Sequence, residues 1–151
     1  MTYKDLVDSI KTLVDNHLML ADFGYGDLSD IKSRSELGTG EASYPYLFLN
    51  PTVSSRNDTT VTYRFNMIAM DVVDQDDDYL TTQSQCQQYI DDILANLWLN
   101  YTGPRSVYPI ISNVTLTPFK ERFADVLAGF TASVDFQIAL PLDNCITPYG
   151  S

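Results

Sequence analysis

The chain has 151 residues, 44% hydrophobic and 19% charged, a balance that supplies one domain with a real core and excludes a disordered chain. Its 9 Lys+Arg stand against 20 Asp+Glu, and the formal net charge of −11 argues against a DNA-binding role and against attraction to anionic membrane. A single histidine and two cysteines without CxxC spacing leave little catalytic or metal-binding repertoire.

The length suits a single domain over residues 1–151. Met1-Thr2-Tyr3-Lys4-Asp5 lacks the basic flank and apolar run of a signal peptide, and no stretch approaches the roughly 18 apolar residues of a membrane span. Cys86 and Cys145 read as free thiols in a reducing cytoplasm. The Asn-x-Thr triplets at Asn57, Asn100 and Asn113 then read as chance matches.

In chain order, Leu6, Val7, Ile10, Leu13, Val14 and His17 recur at helical spacing, opposite Lys4, Asp5, Asp8, Lys11 and Asp15. This predicts an amphipathic helix over 3–17. A short apolar stretch from Leu18 to Phe23 ends at Gly24-Tyr25-Gly26-Asp27, read as a tight turn. The polar, glycine-bearing run 32–43 reads as a mobile loop with Leu37 as its one anchor. Tyr44 to Pro51 reads as a mostly buried strand, and Ser54 to Asp58 as a turn.

From Thr60 to Val73, Val61, Tyr63, Phe65, Met67 and Ala69 alternate with polar residues, which predicts a long strand. Both faces are apolar from Ile68 on, so that end is expected to be covered on both sides. Asp74 to Asp78 form an acidic turn, and residues 80–99 a second helix. Its core stripe is Cys86, Tyr89, Ile90, Ile93, Leu94, Leu97 and Trp98, with Asp91, Asp92 and Asn96 facing out. Strands follow at 114–119 and 128–140. The second alternates most cleanly, and at about 3.3 Å per residue spans about 43 Å. A domain of this size has a radius of gyration of about 15 Å, so part of the strand or its hairpin turn is expected to reach beyond the body.

The expected fold is α+β: an antiparallel sheet of about four to five strands with two helices packed on one face, in the order α-β-β-β-α-β-β.

The chemistry-bearing residues are few. His17 closes the first helix, where a structural role at the helix dipole outweighs that of a general base without a paired nucleophile. Asp74, Asp76 and Asp78 match the first ligands of an EF-hand loop, but Tyr79 stands where Gly is required and Gln85 where Glu is required. A solvated turn that caps the second helix is the better account. Gly24-Tyr25-Gly26-Asp27 matches neither GxGxxG nor a P-loop. The 10 tyrosines lack the basic groove that single-strand binders pair with aromatics, and read instead as strand and interface residues. No catalytic, cofactor-binding or metal-binding residue is expected.

The whole pattern resembles the tail-completion or tail-terminator-like proteins of tailed bacteriophages. The resemblance rests on the N-terminal helix, Phe23-Gly24-Tyr25-Gly26-Asp27-Leu28-Ser29, Tyr44-Pro45-Tyr46-Leu47-Phe48 and Met70-Asp71-Val72-Val73 before the acidic turn. It continues through Leu116-Thr117-Pro118-Phe119, Ala128-Gly129-Phe130 and Leu140-Pro141-Leu142-Asp143-Asn144-Cys145. It covers nearly the whole chain but includes no sharp functional motif and no catalytic residues. It implies a virion protein, assembled in the host cytoplasm into a homo-oligomeric ring, usually of six subunits, that caps the tail tube and joins it to the neck or connector proteins. A twelve-subunit connector ring of a short-tailed phage is the related alternative.

Double-stranded DNA would pass through such a ring without specific binding, which suits the acidic charge. Asp74, Asp76, Asp77 and Asp78 are candidates for a DNA-repelling lumen wall, and could equally face outward. From other classes, a small ligand-binding or enzymatic α+β domain would need a pocket with convergent polar groups, and a chaperone or adaptor would stay monomeric.

Overall fold

The structure, a computed structural model, describes residues 2–27, 44–73, 78–99, 109–122, 126–140 and 142. Helix α1 spans Tyr3–Asn16, and strands β1 to β4 span Asp22–Tyr25, Tyr46–Pro51, Ser55–Arg56 and Thr60–Val72. Helix α2 spans Tyr79–Leu99, followed by β5 at Ile110–Arg122 and β6 at Val126–Ala139. The strands form one sheet in the order β1-β2-β4-β6-β5, with β3 paired to β4.

The fold is α+β with a mostly antiparallel sheet, as the alternation and stripes predict. Two features differ from expectation. The sheet has six strands in a mixed arrangement, because β1 runs parallel to β2, with Phe23 opposite Leu47. The element order is therefore α-β-β-β-β-α-β-β. The added strand is β3, two residues within the segment expected to be a turn; it pairs Ser55 with Thr62 and Arg56 with Val61.

Helix α1 begins with a reciprocal cap. The Thr2 hydroxyl accepts from the Asp5 backbone N–H at 3.1 Å, and the Asp5 carboxylate accepts from the Thr2 N–H at 2.9 Å. Two amides that the helix cannot pair internally are thereby satisfied. Leu6, Ile10 and Val14 form its buried stripe, while Lys4–Asp8 and Lys11–Asp15 pairs lie on the solvent side. In α2, the predicted stripe of Cys86, Tyr89, Ile90, Ile93, Leu94 and Leu97 is buried. The Trp98 side chain lies outside the described residues.

Both helices pack on one face of the sheet. Their stripes meet Leu47 and Leu49 of β2, Phe65, Met67 and Ala69 of β4, and Ala132, Val134, Phe136 and Ile138 of β6. Burying such a side chain contributes about 1.5–3 kcal/mol, so this layer dominates stability. On the opposite face, Tyr46, Phe48, Ile68, Met70 and Leu127 form a second buried cluster, confirming the two-sided burial expected after Ile68.

The length of β6 is taken up inside the sheet. It pairs with β4 from Val72–Leu127 to Thr60–Ala139 and with β5 along its other side. Buried residues run from Leu127 to Ile138, so the strand itself does not project from the body. Its turn to β5 lies outside the described residues, as does the expected loop over 32–43.

Two glycines are fixed by space and conformation. Gly24 belongs to β1, not to the turn: a Cβ there would meet the Tyr46 hydroxyl at 1.9 Å. Gly26, at φ 140°, ends β1 in a backbone region that L side chains rarely adopt.

Candidate assembly surfaces

Among the described residues, three places carry chemistry or exposed apolar surface. The first is the junction between the helices. After α1, the chain turns at His17, whose Nδ1 accepts from the backbone N–H groups of Met19 at 3.1 Å and Leu20 at 3.3 Å. The ring proton is thereby assigned to Nε2, which donates to the Asp92 carboxylate on α2 at 2.9 Å. Both ring nitrogens already have protein partners, so His17 orders the exit from α1 and ties it to α2. Sequence reasoning placed His17 correctly but assigned it to the helix dipole; its partners lie after the helix and across it.

Beside this tie runs an open groove of about 410 Å³, lined by residues that include Leu13, His17, Met19, Asp92 and Ile93. Its rim holds the most exposed large apolar side chains of this corner, Leu18 at 98% and Met19 at 58%. The two ionisable side chains of this groove, His17 and Asp92, are bonded to each other.

The second place is Asp78, which ends the run expected to be an acidic turn. Asp78 is exposed, and its carbonyl accepts the Thr82 N–H at 3.3 Å, which sets it at the start of α2. Asp74, Asp76 and Asp77 lie outside the described residues. Among the described residues, no group of three or more His, Cys, Asp and Glu is placed to hold a metal ion. No helix among them is long and apolar enough to cross a membrane.

The third place is the β5 edge, which the sequence reading did not single out. Among the described residues, β5 pairs with β6 alone, at the end of the sheet. Every residue from Ser112 to Pro118 is exposed. Register with Val134 and Ala132 sets Val114 and Leu116 on the helix-bearing face, yet each is 37% exposed. Ile110, on the other face, is 48% exposed. The strand is anchored at its far end, where Gln83 of α2 donates to the Phe119 carbonyl at 2.9 Å and the Lys120 ammonium sits 4.7 Å from the centre of the Tyr79 ring.

On the face away from the helices, beyond the Tyr46–Phe48–Ile68–Met70–Leu127 cluster, polar side chains are bonded to one another. Ser133 donates to Asn66, Asn66 to Asn50, and Asn50 to the Gly26 carbonyl, a ladder across β6, β4 and β2. Arg64 lies 3.4 Å from Asp135 beside it.

No protein-family model matches the chain, and no curated protein matches it either.

Proposed function

We propose that this chain is a structural subunit of a tailed-bacteriophage virion. Copies assemble into a homo-oligomeric ring, of six subunits or in a short-tailed phage twelve, at the junction of tail and neck. The ring terminates or connects the tail and lets DNA pass. Its partners are further copies of itself, the tail tube and the neck or connector proteins.

The observation that carries this reading is β5. A sheet that ends in a long strand, exposed over Ser112–Pro118 with apolar side chains uncovered, is built to be joined. The net charge of −11 supports it, since an acidic wall does not hold phosphate and leaves DNA free to slide. Asp74, Asp76, Asp77 and Asp78 are the proposed part of that wall. The exposed edge serves assembly and needs no catalytic group.

Size-exclusion chromatography with light scattering tests the reading. The purified chain is expected to form a discrete oligomer, alone or on mixing with the tail-tube protein. A chain that remains monomeric in both settings would contradict it.

A further inference from the structure

We infer that copies of this chain join head to tail, the β5 edge of one copy seating against the Leu18–Met19 corner and adjoining β1 edge of the next. This rests on the ring reading above and names its contact surface.

Three observations lead there. First, the two surfaces lie on opposite sides of one sheet. The order β1-β2-β4-β6-β5 puts β1 and β5 at its two ends, and Leu18 and Met19 form the link from α1 into β1. Both surfaces also lie on the helix side: Val114 and Leu116 share the helix-bearing face, and Leu18 and Met19 line the groove between the helices. A contact between different surfaces at opposite ends generates a closed ring when the rotation per subunit closes, whereas a self-complementary contact would stop at a dimer.

Second, each surface leaves uncovered what the other needs. Leu18 is 98% and Met19 58% exposed on one side, and Val114 and Leu116 are 37% exposed on the other. Apolar groups left in water at both ends are buried together by one contact.

Third, the charges select the pairing. The chain carries −11, so most contacts between two copies bring acid against acid. Asp92 lines this corner, its carboxylate accepting from His17. No residue from Ile110 to Phe119 is charged, and Lys120, Glu121 and Arg122 close the strand. This uncharged stretch can approach Asp92 without repulsion, which an acidic segment could not. Edge strands that must stay unpaired carry charges, lysine above all, within the strand. Here Ile110–Thr117 has none, and Pro118 limits the stretch that another strand can use.

Sedimentation velocity on the full chain and two variants tests this. Val114→Lys/Leu116→Lys blocks the edge, and Leu18→Lys/Met19→Lys blocks the corner. Each variant lowers the net negative charge, so general repulsion alone would make it associate more. The contact predicts the reverse: the parent associates as its concentration rises, and each variant associates about ten-fold or more weakly. Mixing the two variants should restore a one-to-one dimer that grows no further, because each supplies the surface the other lacks. Thermal melts confirm that the variants fold, and the corner variant alters only exposed side chains. Hydrogen exchange on the parent should show β5 amides slowing as association proceeds.

A parent that stays monomeric overturns the inference. So does association that either variant leaves unchanged, or a mixture that fails to pair. If edge-blocked virions still assembled with the chain in place, the edge assignment would fall and the ring reading would stand. If the contact formed in solution but virions lacked the chain, the outcome would be reversed.

Discussion

Gly129 on β6 lies so close to Ala69 on β4 that a Cβ on Gly129 would sit 1.9 Å from the Ala69 carbonyl oxygen. The obstacle is backbone at the centre of the sheet, so it cannot swing aside as a side chain would. Gly129→Ala is therefore expected to force the two strands apart and cost at least about 1–3 kcal/mol, the usual range for overpacking. Chemical denaturation would measure it. A melting curve equal to that of the parent would show that the sheet has more room there than the geometry gives.

The cap on α1 predicts a pH dependence. The Thr2 backbone N–H, then the Thr2 hydroxyl, holds the Asp5 carboxyl below the usual carboxylate range. Its ionised form is thus favoured by folding. That contribution is fully present above the unfolded value, roughly 3.9, and is lost as pH falls through the lower folded value. Asp5→Asn should melt below the parent near neutral pH, and the gap should close in strong acid. Thr2→Ala should cost about 1 kcal/mol at neutral pH. Thermal melts over a pH series would show it, and a gap that stays constant into strong acid would refute the cap's charge dependence.

Burial, and then the charge of Asp71, pushes the Cys86 thiol up to about 12. The side chain is fully buried and directed at the Ala128 carbonyl at 3.7 Å. In a Cys145→Ser background, Cys86 is expected to resist alkylation in the folded protein even at mildly alkaline pH and to react at once in denaturant. Rapid modification of the native protein would place the thiol at the surface and the register of α2 in error.

The acidic charge predicts behaviour toward DNA. The purified chain should not bind fluorescent duplex DNA at about 150 mM salt, since it offers few cations for counterion release. Changing Asp76, Asp77 and Asp78 to Asn should shift stability by less than about 0.5 kcal/mol per site. If these residues line the channel, virions with the triple change should eject their genome more slowly. Normal ejection would place them outside the lumen, and tight salt-sensitive binding by the parent would contradict a non-sticking channel.

Much of the fold was legible because burial writes itself into spacing. Ala132, Val134, Phe136 and Ile138 alternate because one face of β6 meets the helices, and Leu6, Ile10 and Val14 recur because α1 lays one stripe on the sheet. What stayed hidden depends on distant partners. The parallel pairing of Phe23 with Leu47 leaves no mark on either segment, and β3 is too short to show a period. The first part of β5, around Ser112 and Asn113, is exposed and so carries no alternation to read. That is also why the candidate contact was missed. Val114 and Leu116 look like ordinary strand residues until the topology puts their strand at the end of the sheet.

The most direct test of a neck-ring role is quantitative mass spectrometry of purified virions whose genome encodes this chain. A neck-ring subunit is expected in a fixed low copy number, six or twelve per particle, and leaves with the tail or neck fraction when particles are disrupted. Its absence from intact virions, with the protein accumulating free in the infected cell, would contradict the account.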